Sequence, residues 1–386
     1  MPLNANSKIY LDYNATTPVD PRVLDEMLPY FSEVFGNASS DHSFGWHAQD
    51  AVDNAREQVA NLVNCRPTEI TFTSGATEAA NLALFGFCQK NKSKGNHIIT
   101  CKTEHKAVLE NMKALKAQGF EITYLDVNAQ GEIDLDALKN AITDQTILVC
   151  IMLANNETGV IQPLKEIVDL AHAKNVAVMT DATQAVGKIP VDFRELDVDL
   201  AIFSSHKIYG PKGVGALFIN KKNKIELDAY FFGGSQEKGL RPGTLNHPGI
   251  VGFGKACALA FAEAEQENSR LLALRNQIES ELATIEGAII NGAKTKRLPN
   301  TTNVSFENVD GSKLLLKLNK LAVSRGSACT ANLVVPSHVL LAMGHSEEVA
   351  FASLRISLGH KTTQEDVAFA AAEIKRVVNE LRSVTA

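Results

Sequence analysis

The segment FSSHKIYGPKG at 203–213 reveals how this chain is organised, because an apolar strand runs there into a polar turn. Residues 199–203 predict a buried β-strand, and Lys207 follows shortly after its end. In open α/β sheets, ligands bind just beyond the carboxyl ends of the strands. A surface lysine is the simplest interpretation of Lys207. At such a sheet edge, however, partial burial lowers the pKa of an amine and makes it a nucleophile, so Lys207 is a candidate catalytic residue.

Strand and helix alternate around this segment, through the first two thirds of the chain. Strands are predicted at 69–73, 96–100, 146–153, 176–180 and 199–203, and helical periodicity covers 49–63, 78–85, 107–118 and 163–174. This rhythm predicts an α/β protein with a mostly parallel sheet and helices on both of its faces.

The pattern changes near residue 250, where a long helix is predicted over 249–285. Short strands follow at 303–306, 322–324 and 354–357, and a final helix carries an apolar stripe from Val367 to Leu381. Thr362 and Glu365 offer this last helix a capping box. We interpret this part of the chain as a smaller α+β domain.

Composition and charge argue against several classes of protein. The chain has 386 residues, with 44 acidic against 38 basic side chains and a formal net charge of −6. Such a length suits two or three domains, and the mild acidity argues against stable nucleic-acid binding, although a transient nucleic-acid partner stays open. The longest apolar run, 147–154, is far shorter than the roughly 20 residues of a membrane span, so no membrane association is expected.

Six cysteines stand at positions 65, 88, 101, 150, 257 and 329, without any CxxC pair. This argues against zinc-ribbon and thioredoxin motifs, and we expect no metal site. The first residues lack the apolar core of a signal peptide, so reduced thiols and a cytoplasmic location are expected. Most of the cysteines should be buried small hydrophobes.

Two segments are candidates for binding phosphate. Residues 249–256 nearly match GxxxxGK[ST], but Ala256 lacks the hydroxyl that would hold Mg²⁺ and no strand precedes it. Packing of a helix through small residues is the favoured interpretation, with nucleotide binding as the alternative. Residues 73–78, TSGATE, follow a strand and open a helix, where free N–H groups suit a phosphate dianion. A plain Ser or Thr N-cap would look similar.

A carboxylate also follows a predicted strand, Asp181 in the segment TDATQA at 180–185. It could be a helix cap. Together with Lys207 it suggests more, because pyridoxal phosphate requires a lysine for its aldehyde and a carboxylate for its pyridinium nitrogen.

Ordered motifs along almost the whole chain carry a family resemblance. They are YLDYNATTPVDPRV at 10–23, TSGATEAANLAL at 73–84, TEHKAVLE at 103–110, NNETGVIQP at 155–163, DATQAVGKIP at 181–190, FSSHKIYGPKGVGAL at 203–217, RPGTLN at 241–246, GSACT at 326–330 and LRISLG at 354–359. In order and spacing they resemble the pyridoxal-phosphate-dependent cysteine desulfurases of the class V aminotransferase family, of the type that builds iron–sulfur clusters. The resemblance implies fold type I, with a mostly parallel, seven-stranded-type sheet. It also implies a large cofactor domain at 16–258 and a small domain at 1–15 and 259–386.

The resemblance implies a role for each matching position. Lys207 binds the cofactor covalently and carries the proton at the substrate Cα, Asp181 pairs with the ring nitrogen, Gln184 hydrogen-bonds the ring oxygen, and His105 stacks on the ring as a candidate proton shuttle. Thr77, Ser204 and His206 bind the phosphate, and Ala76 also belongs to the cofactor site. Thr244 completes that phosphate site from a neighbouring subunit, which implies a homodimer. Asn156 lies at the cofactor and, with Arg355, holds the substrate carboxylate.

Simpler interpretations stand beside several of these roles. His105 could be a surface residue at a helix start, and Arg355 could be an ordinary ion-pair partner, although an arginine in an apolar strand needs an anion. Seven other histidines, at 42, 47, 172, 247, 338, 345 and 360, show no metal-ligand spacing and are interpreted as structural.

Cys329 is the thiol expected to carry chemistry, since it lies among small residues between a predicted strand and a helix. The resemblance implies that L-cysteine is converted to L-alanine, with its sulfur moved to Cys329 as a persulfide for an acceptor protein, first of all an iron–sulfur scaffold. A sulfur relay for tRNA thiolation or DNA phosphorothioation, a selenocysteine lyase or related enzyme, and an inactive paralogue are the alternatives. Arg325 and the apolar stretch at 330–335 depart from the family pattern, so Arg325 is a candidate for tuning the thiol or for recruiting an acidic partner.

Overall fold

The computed structural model describes residues 8–326 and 335–383. Its strands are β1 (Ile9–Tyr10), β2 (Ile70–Thr73), β3 (His97–Cys101), β4 (Glu121–Leu125), β5 (Thr146–Cys150), β6 (Ala177–Asp181), β7 (Leu200–Ser204), β8 (Gly215–Ile219), β9 (Ala288–Ile290), β10 (Thr301–Phe306), β11 (Leu321–Ala322) and β12 (Ser353–Ser357). Its helices are α1 (Pro21–Met27), α2 (Pro29–Ser32), α3 (Ser43–Leu62), α4 (Ala76–Asn91), α5 (Lys106–Ala117), α6 (Leu135–Ala141), α7 (Leu164–His172), α8 (Phe193–Leu196), α9 (His247–Leu282), α10 (Gly311–Lys317), α11 (His338–Ala342), α12 (Glu347–Phe351) and α13 (Gln364–Ser383).

A seven-stranded sheet organises the first part of the chain, in the order β2-β8-β7-β6-β5-β3-β4. Only β8 runs antiparallel to its neighbours β2 and β7, and the other pairings are parallel. The prediction of an α/β protein with a mostly parallel sheet is therefore confirmed. The carboxyl ends of β6 and β7 lie side by side, with Asp181 pairing with Ile202, and this places the functional segments next to one another.

Helices cover both faces of this sheet, as the alternation predicts. On one face, α3 buries Val52, Ala55 and Val59, three of the residues in its predicted apolar stripe. On the other face, α4 and α5 supply a second cluster that includes Leu82 and Met112. The strands are therefore buried on both sides, which explains why they read as continuous apolar runs rather than alternating ones.

Helix α9 contains the segment that nearly matches a nucleotide-binding loop. Residues 249–256 are helical throughout, so no loop is left there to cradle a phosphate, and the nucleotide interpretation is wrong. Their glycines instead allow close packing. A Cβ on Gly254 would lie 2.6 Å from Ala55 Cα, and one on Gly252 would lie 2.5 Å from Met27 Sδ.

A second core lies in the C-terminal part of the chain. Strands β12, β10 and β9 form an antiparallel sheet, and β1 pairs with β11. The sheet packs with α13 and the second half of α9 in a cluster that includes Leu274, Ile356 and Ile374. The predicted α+β character is thus confirmed.

The start of α13 differs by one residue from the predicted capping box. Thr363 Oγ1 accepts from Asp366 N at 3.1 Å, and Asp366 carboxylate accepts from Thr363 N at 3.0 Å, so the reciprocal pair is Thr363 and Asp366. The hydroxyl of Thr362 instead accepts from Gly359 N, which makes the prediction for Thr362 and Glu365 wrong. Within the described ranges, no helix combines the length and apolar character needed to span a bilayer.

Candidate active site

A cavity of about 520 Å³ opens beyond the carboxyl ends of β6 and β7. It is lined by most of the residues predicted from the sequence, namely Ala76, Thr77, His105, Asn156, Asp181, Gln184, Ser204, His206, Lys207 and Arg355. These positions span most of the chain length, so only the fold brings them together. Their convergence on one cavity supports a common task.

Lys207 reaches into this cavity from a short 3₁₀ turn, Ser205–Lys207, that follows β7 directly. Its Nζ donates to the backbone oxygens of Asn14 and Ala15, both at 2.7 Å. The two carbonyls belong to the motif at 10–23. This motif contributes to the family resemblance, but none of its residues was predicted to have a role in the site. They hold the amine at the cavity wall.

The carboxylate of Asp181 lies at the last position of β6 and is only 5% exposed. One of its oxygens accepts from Thr183 N at 2.9 Å, which fixes the orientation of the side chain. Gln184, one turn further on, lies in the same wall and donates from Nε2 to Asn14 O at 3.0 Å. A buried carboxylate and an amide thus share the cavity with the amine of Lys207.

The start of α4 forms an anion-binding cup at one end of the cavity. Its N-cap is Gly75, at φ +152°, and no side chain caps the helix, so the alternative of a plain Ser or Thr N-cap is wrong. Gly215 lies so close that a Cβ on it would approach Gly75 Cα to 2.7 Å. Free N–H groups at a helix start, with Ser204 alongside, suit a phosphate dianion.

His206 lies in the same wall, with its Nδ1 3.1 Å from Thr16 Oγ1. Burial and the nearby charges of Lys207 and Lys212 lower the pKa of His206 to about 4. A neutral imidazole offers a hydrogen bond to a phosphate, whereas the positive charge at this end of the cavity comes from lysine.

Arg355 enters from β12 with a nearly fully buried side chain. Its Nη2 pairs with Asp12 Oδ1 at 2.7 Å and its Nη1 donates to Asn156 O at 3.2 Å. Among the described residues, its Nε has no hydrogen-bond partner although it is buried. Arg355 is therefore an ion-pair partner, as the simpler interpretation holds, and it also lines the cavity.

His105 is half-buried and caps α5, where its Nδ1 accepts from Ala107 N at 3.1 Å. The residue before it, Glu104, was missed by the sequence analysis. Its side chain is fully buried, and one oxygen accepts from Met152 N. Burial, with the nearby charge of Asp181, raises the pKa of Glu104 well above its ordinary value, so this carboxyl stays protonated over a wide range of pH.

Two predicted residues are not brought into the cavity by the described part of the chain. Thr244 is exposed and does not line it. Cys329 lies outside the described residues. The other five cysteines are buried and free, as expected. Burial raises the pKa of Cys65 and Cys88 to about 12 and that of Cys101 to about 11, so these thiols are poor nucleophiles.

Four of the other histidines make local contacts. His42 caps α3, His172 pairs with Asp199 at 2.8 Å, His338 contacts the Glu104 carbonyl, and His360 stacks on Tyr209. No group of three or more potential metal ligands occurs in residues 8–326 and 335–383.

Asn14 joins the two ends of the site, a role that its sequence did not indicate. Its Nδ2 donates to Asn156 O at 3.2 Å, while its backbone oxygen accepts from Gln184 and Lys207. Lys188 also contacts it, through Asn14 Oδ1 at 3.0 Å. The only available signal was the presence of Asn14 in the motif at 10–23.

Comparison with known proteins defines the class. The aminotransferase class-V family model matches residues 9–369, and the chain therefore belongs to that family. It is a pyridoxal-phosphate-dependent enzyme with the fold type I architecture predicted from the resemblance.

Within this class, the chain is similar to proteins named cysteine desulfurase. The chain is 51% identical over 379 residues to the cysteine desulfurase IscS of Anaeromyxobacter sp. (strain Fw109-5), covering 98% of this chain and 94% of the relative. Among solved structures, a NifS-like protein superposes with a TM-score of 0.90 at 40% identity, over 97% of this chain and 100% of that one. SspA in complex with cysteine gives a TM-score of 0.81 at 37% identity, over 91% and 99%.

The residues around the cavity fit pyridoxal 5′-phosphate. The uncapped start of α4 suits its phosphate, the amine of Lys207 suits its aldehyde, and the carboxylate of Asp181 suits its ring nitrogen. Gly75, without a side chain, leaves room for close approach of the phosphate to the backbone.

Proposed function

We propose that this chain is a cysteine desulfurase that converts L-cysteine to L-alanine and passes the sulfur to an acceptor through Cys329. The observation that carries the proposal is the convergence of Lys207, Asp181 and the uncapped start of α4 on one cavity, with Arg355 in its wall. The similarity to cysteine desulfurases named IscS, which extends over nearly the whole chain, supports the proposal. The similarity to SspA, whose structure holds cysteine, supports it as well.

Pyridoxal 5′-phosphate, when bound, draws electrons away from the substrate Cα and weakens the bonds there. The protein residues supply the rest. The cup formed by Ala76, Thr77 and Ser204 holds the phosphate, and Asp181 keeps a proton on the ring nitrogen. The amine of Lys207 would anchor the cofactor and would take the proton from the substrate Cα.

The substrate carboxylate is assigned to the other end of the cavity. Arg355 lines the cavity there, and Asn156 lies beside it. Since Asp12 already neutralises part of the guanidinium charge, the arginine is held in place before the substrate arrives. His105 completes the wall as the residue proposed to stack on the ring and move protons.

The sulfur step belongs to Cys329. As a thiolate, Cys329 attacks the sulfur of cysteine, a new S–S bond forms and the Cβ–S bond breaks. The carbon keeps the electron pair, takes up a proton and leaves as L-alanine. The persulfide on Cys329 then gives its outer sulfur to an acceptor thiol. The buried positions and raised pKa values of Cys65, Cys88 and Cys101 support Cys329 over these thiols.

We further propose a cytoplasmic homodimer in which Thr244 completes the phosphate site of the neighbouring subunit. Exposed aromatic side chains on α2, on α3 and in residues 230–232 support association, since Phe31 is 62% and Phe232 91% exposed. The domain division at 16–258, with 1–15 and 259–386 apart, is proposed with it. The separate C-terminal core supports that division.

The test compares three variants of the purified, cofactor-loaded chain, incubated with ³⁵S-labelled L-cysteine. Cys329→Ala is expected to keep the visible absorbance of the cofactor but to form no labelled persulfide. Lys207→Ala is expected to lose that absorbance, because its amine anchors the cofactor. Cys88→Ala, at a buried cysteine, serves as the matched control and should keep both signals.

Full activity of Cys329→Ala would contradict the proposal and favour a related enzyme, such as a selenocysteine lyase or an aminotransferase. A purified chain that stays colourless with added cofactor would favour an inactive scaffold. The acceptor is tested separately, by adding an iron–sulfur scaffold, a tRNA-thiolation relay protein or DNA-sulfurising proteins and following ³⁵S. We expect the iron–sulfur scaffold to take up the label.

A further inference from the structure

Lys188 is a buried amine that the mechanism above does not use. It lies after β6, and only 8% of the residue is exposed. Burial and the facing cations Lys207 and Arg355 lower the pKa of Lys188 well below its ordinary value. Burying an amine beside two cations lowers the stability of the fold, so we expect Lys188 to have a role that offsets this cost.

The contacts of Lys188 indicate that role. Its Nζ donates to Gln184 Oε1 at 2.5 Å and to Asn14 Oδ1 at 3.0 Å. Whether charged or neutral, the Lys188 amine carries N–H donors, and both atoms within hydrogen-bond distance of it are oxygens, one of them the oxygen of the Gln184 amide. Lys188 therefore selects one of the two possible orientations of that amide.

A second contact selects the same orientation. The Nε2 of Gln184 donates to Asn14 O at 3.0 Å, and a backbone carbonyl can only accept. Lys207 donates to the same oxygen at 2.7 Å. Gln184 is thus held from two sides, and its amide nitrogen lies next to the point where the amine of Lys207 is anchored.

The orientation matters because Gln184 lines the cavity. With Oε1 engaged by Lys188, the group left for a bound cofactor is the second N–H of the amide. An N–H donor stabilises an ionised oxygen, whereas an amide turned the other way would present an oxygen and repel it.

We propose that Lys188 is a positioning residue, which holds the Gln184 amide so that its N–H side donates to the ring oxygen of the cofactor. This inference rests on the proposed placement of pyridoxal phosphate in the cavity. It adds a residue that touches neither cofactor nor substrate and acts through Gln184.

The test uses Lys188→Met in the cofactor-loaded enzyme, since methionine fills similar space without a donor. Losing the fixed donor should weaken cofactor binding about tenfold. The pH midpoint of the visible band should rise by about one unit, because the ionised ring oxygen loses stabilisation. Cofactor titration and absorbance as a function of pH measure the two effects, and the exposed Lys139→Met is the matched control.

A double-mutant cycle shows whether the effect passes through Gln184. If it does, Lys188→Met adds nothing to the band shift in a Gln184→Ala background. The charged groups that face this region, Lys207, Arg355, Asp12 and Asp181, are unchanged in every variant, so they cannot produce a difference between them.

A folded Lys188→Met with an unshifted midpoint would overturn the inference, and so would a shift of equal size in the Gln184→Ala background. Weaker cofactor binding with an unmoved midpoint would show a merely structural role and also overturn it. Should Lys188→Met not fold, Lys188→Leu is judged by the same criteria, because leucine also lacks a hydrogen-bond donor. A wild-type chain without a visible band would instead overturn the proposed function itself.

Discussion

Glu104 is a buried carboxylic acid near Asp181, the aspartate proposed to bind the cofactor, and the raised pKa of Glu104 has a consequence for stability. Below its ordinary value near 4.5, the carboxyl is protonated in both folded and unfolded chains, so it contributes nothing. Above that pH the unfolded chain releases a proton that the folded chain keeps. Glu104 therefore lowers stability as the pH rises.

Glu104→Gln is expected to raise the melting temperature at pH 8, because glutamine is neutral and can still accept from Met152 N. The gain should shrink on acidification and vanish near pH 4. Thermal unfolding of the cofactor-free chain across this pH range measures it. Exposed Glu110→Gln is the matched control, and an equal effect of the two substitutions, or a gain independent of pH, would contradict the argument.

Arg325, which departs from the family pattern, is held in place by an aromatic side chain. Its guanidinium lies 4.6 Å over the ring of Phe351, and burial lowers the pKa of this arginine. The stacking anchors this side chain four positions before Cys329 in the sequence. Its two proposed tasks, tuning the thiol of Cys329 or recruiting an acidic partner, stay predictions.

Residues of the site could be predicted where a distinctive side chain follows a strand. Asp181 and Ser204 end β6 and β7, Lys207 follows β7, and all three could be located from the local pattern together with the motifs. Asn14 and Lys188 could not, because their importance comes from contacts with segments far away in the chain. The burial of Glu104 could not be predicted for a related reason, since it depends on tertiary packing and not on the local sequence.

At the scale of elements, the glycines of α9 show that close packing, rather than phosphate binding, shapes this segment. Glycine in a helix costs about 1 kcal/mol relative to alanine, so it needs a compensating reason. At Gly254 the reason is the backbone of α3, since an added Cβ would lie 2.6 Å from Ala55 Cα. At Gly252 the nearest atom belongs to the flexible end of the Met27 side chain.

Gly254→Ala is therefore expected to lower the free energy of unfolding by roughly 1–3 kcal/mol, as overpacking does. Gly252→Ala, the matched comparison in the same helix, should cost less because methionine can move aside. Urea unfolding of both variants measures the difference. Equal costs, or a stabilised Gly254→Ala, would show that the contact with α3 is looser than the structure indicates.

Long elements with a strong period were predictable, and short or edge elements were not. The stripes of α3, α7 and α13 give clear helical signals, and their burial confirms them. Strand β4 lies at the sheet edge and is only partly buried, while β8 reverses direction within an otherwise parallel order. The local sequence predicts neither the edge position of β4 nor the direction of β8, because both depend on which strands pair with them.

At the scale of the whole molecule, the proposed homodimer assigns Thr244 to the phosphate site of the neighbouring subunit. Thr244 does not line the cavity of its own chain, whereas Thr77 does. Large aromatic side chains are exposed as well, among them Trp46 at 57%. In the proposed homodimer, a second copy packed against these side chains buries them, and Thr244 belongs to the cup of the partner chain.

Complementation between inactive variants tests this arrangement. We expect Lys207→Ala and Thr244→Ala each to lose activity at limiting cofactor, and the two co-expressed chains to recover it. In a mixed dimer, one site receives an intact Lys207 from its own chain and an intact Thr244 from its partner. Random pairing then predicts about a quarter of wild-type activity.

Thr77→Ala is the matched control, because Thr77 serves the cavity of its own chain. Co-expressed with Lys207→Ala, it leaves every site with one defect, so no recovery is expected beyond the residual activity of Thr77→Ala itself. The difference between the two pairs isolates the contribution of the partner subunit from any general effect of mixing. If the Thr244 pair recovers no more than the Thr77 pair, Thr244 acts within its own chain or not at all, and the shared site is wrong.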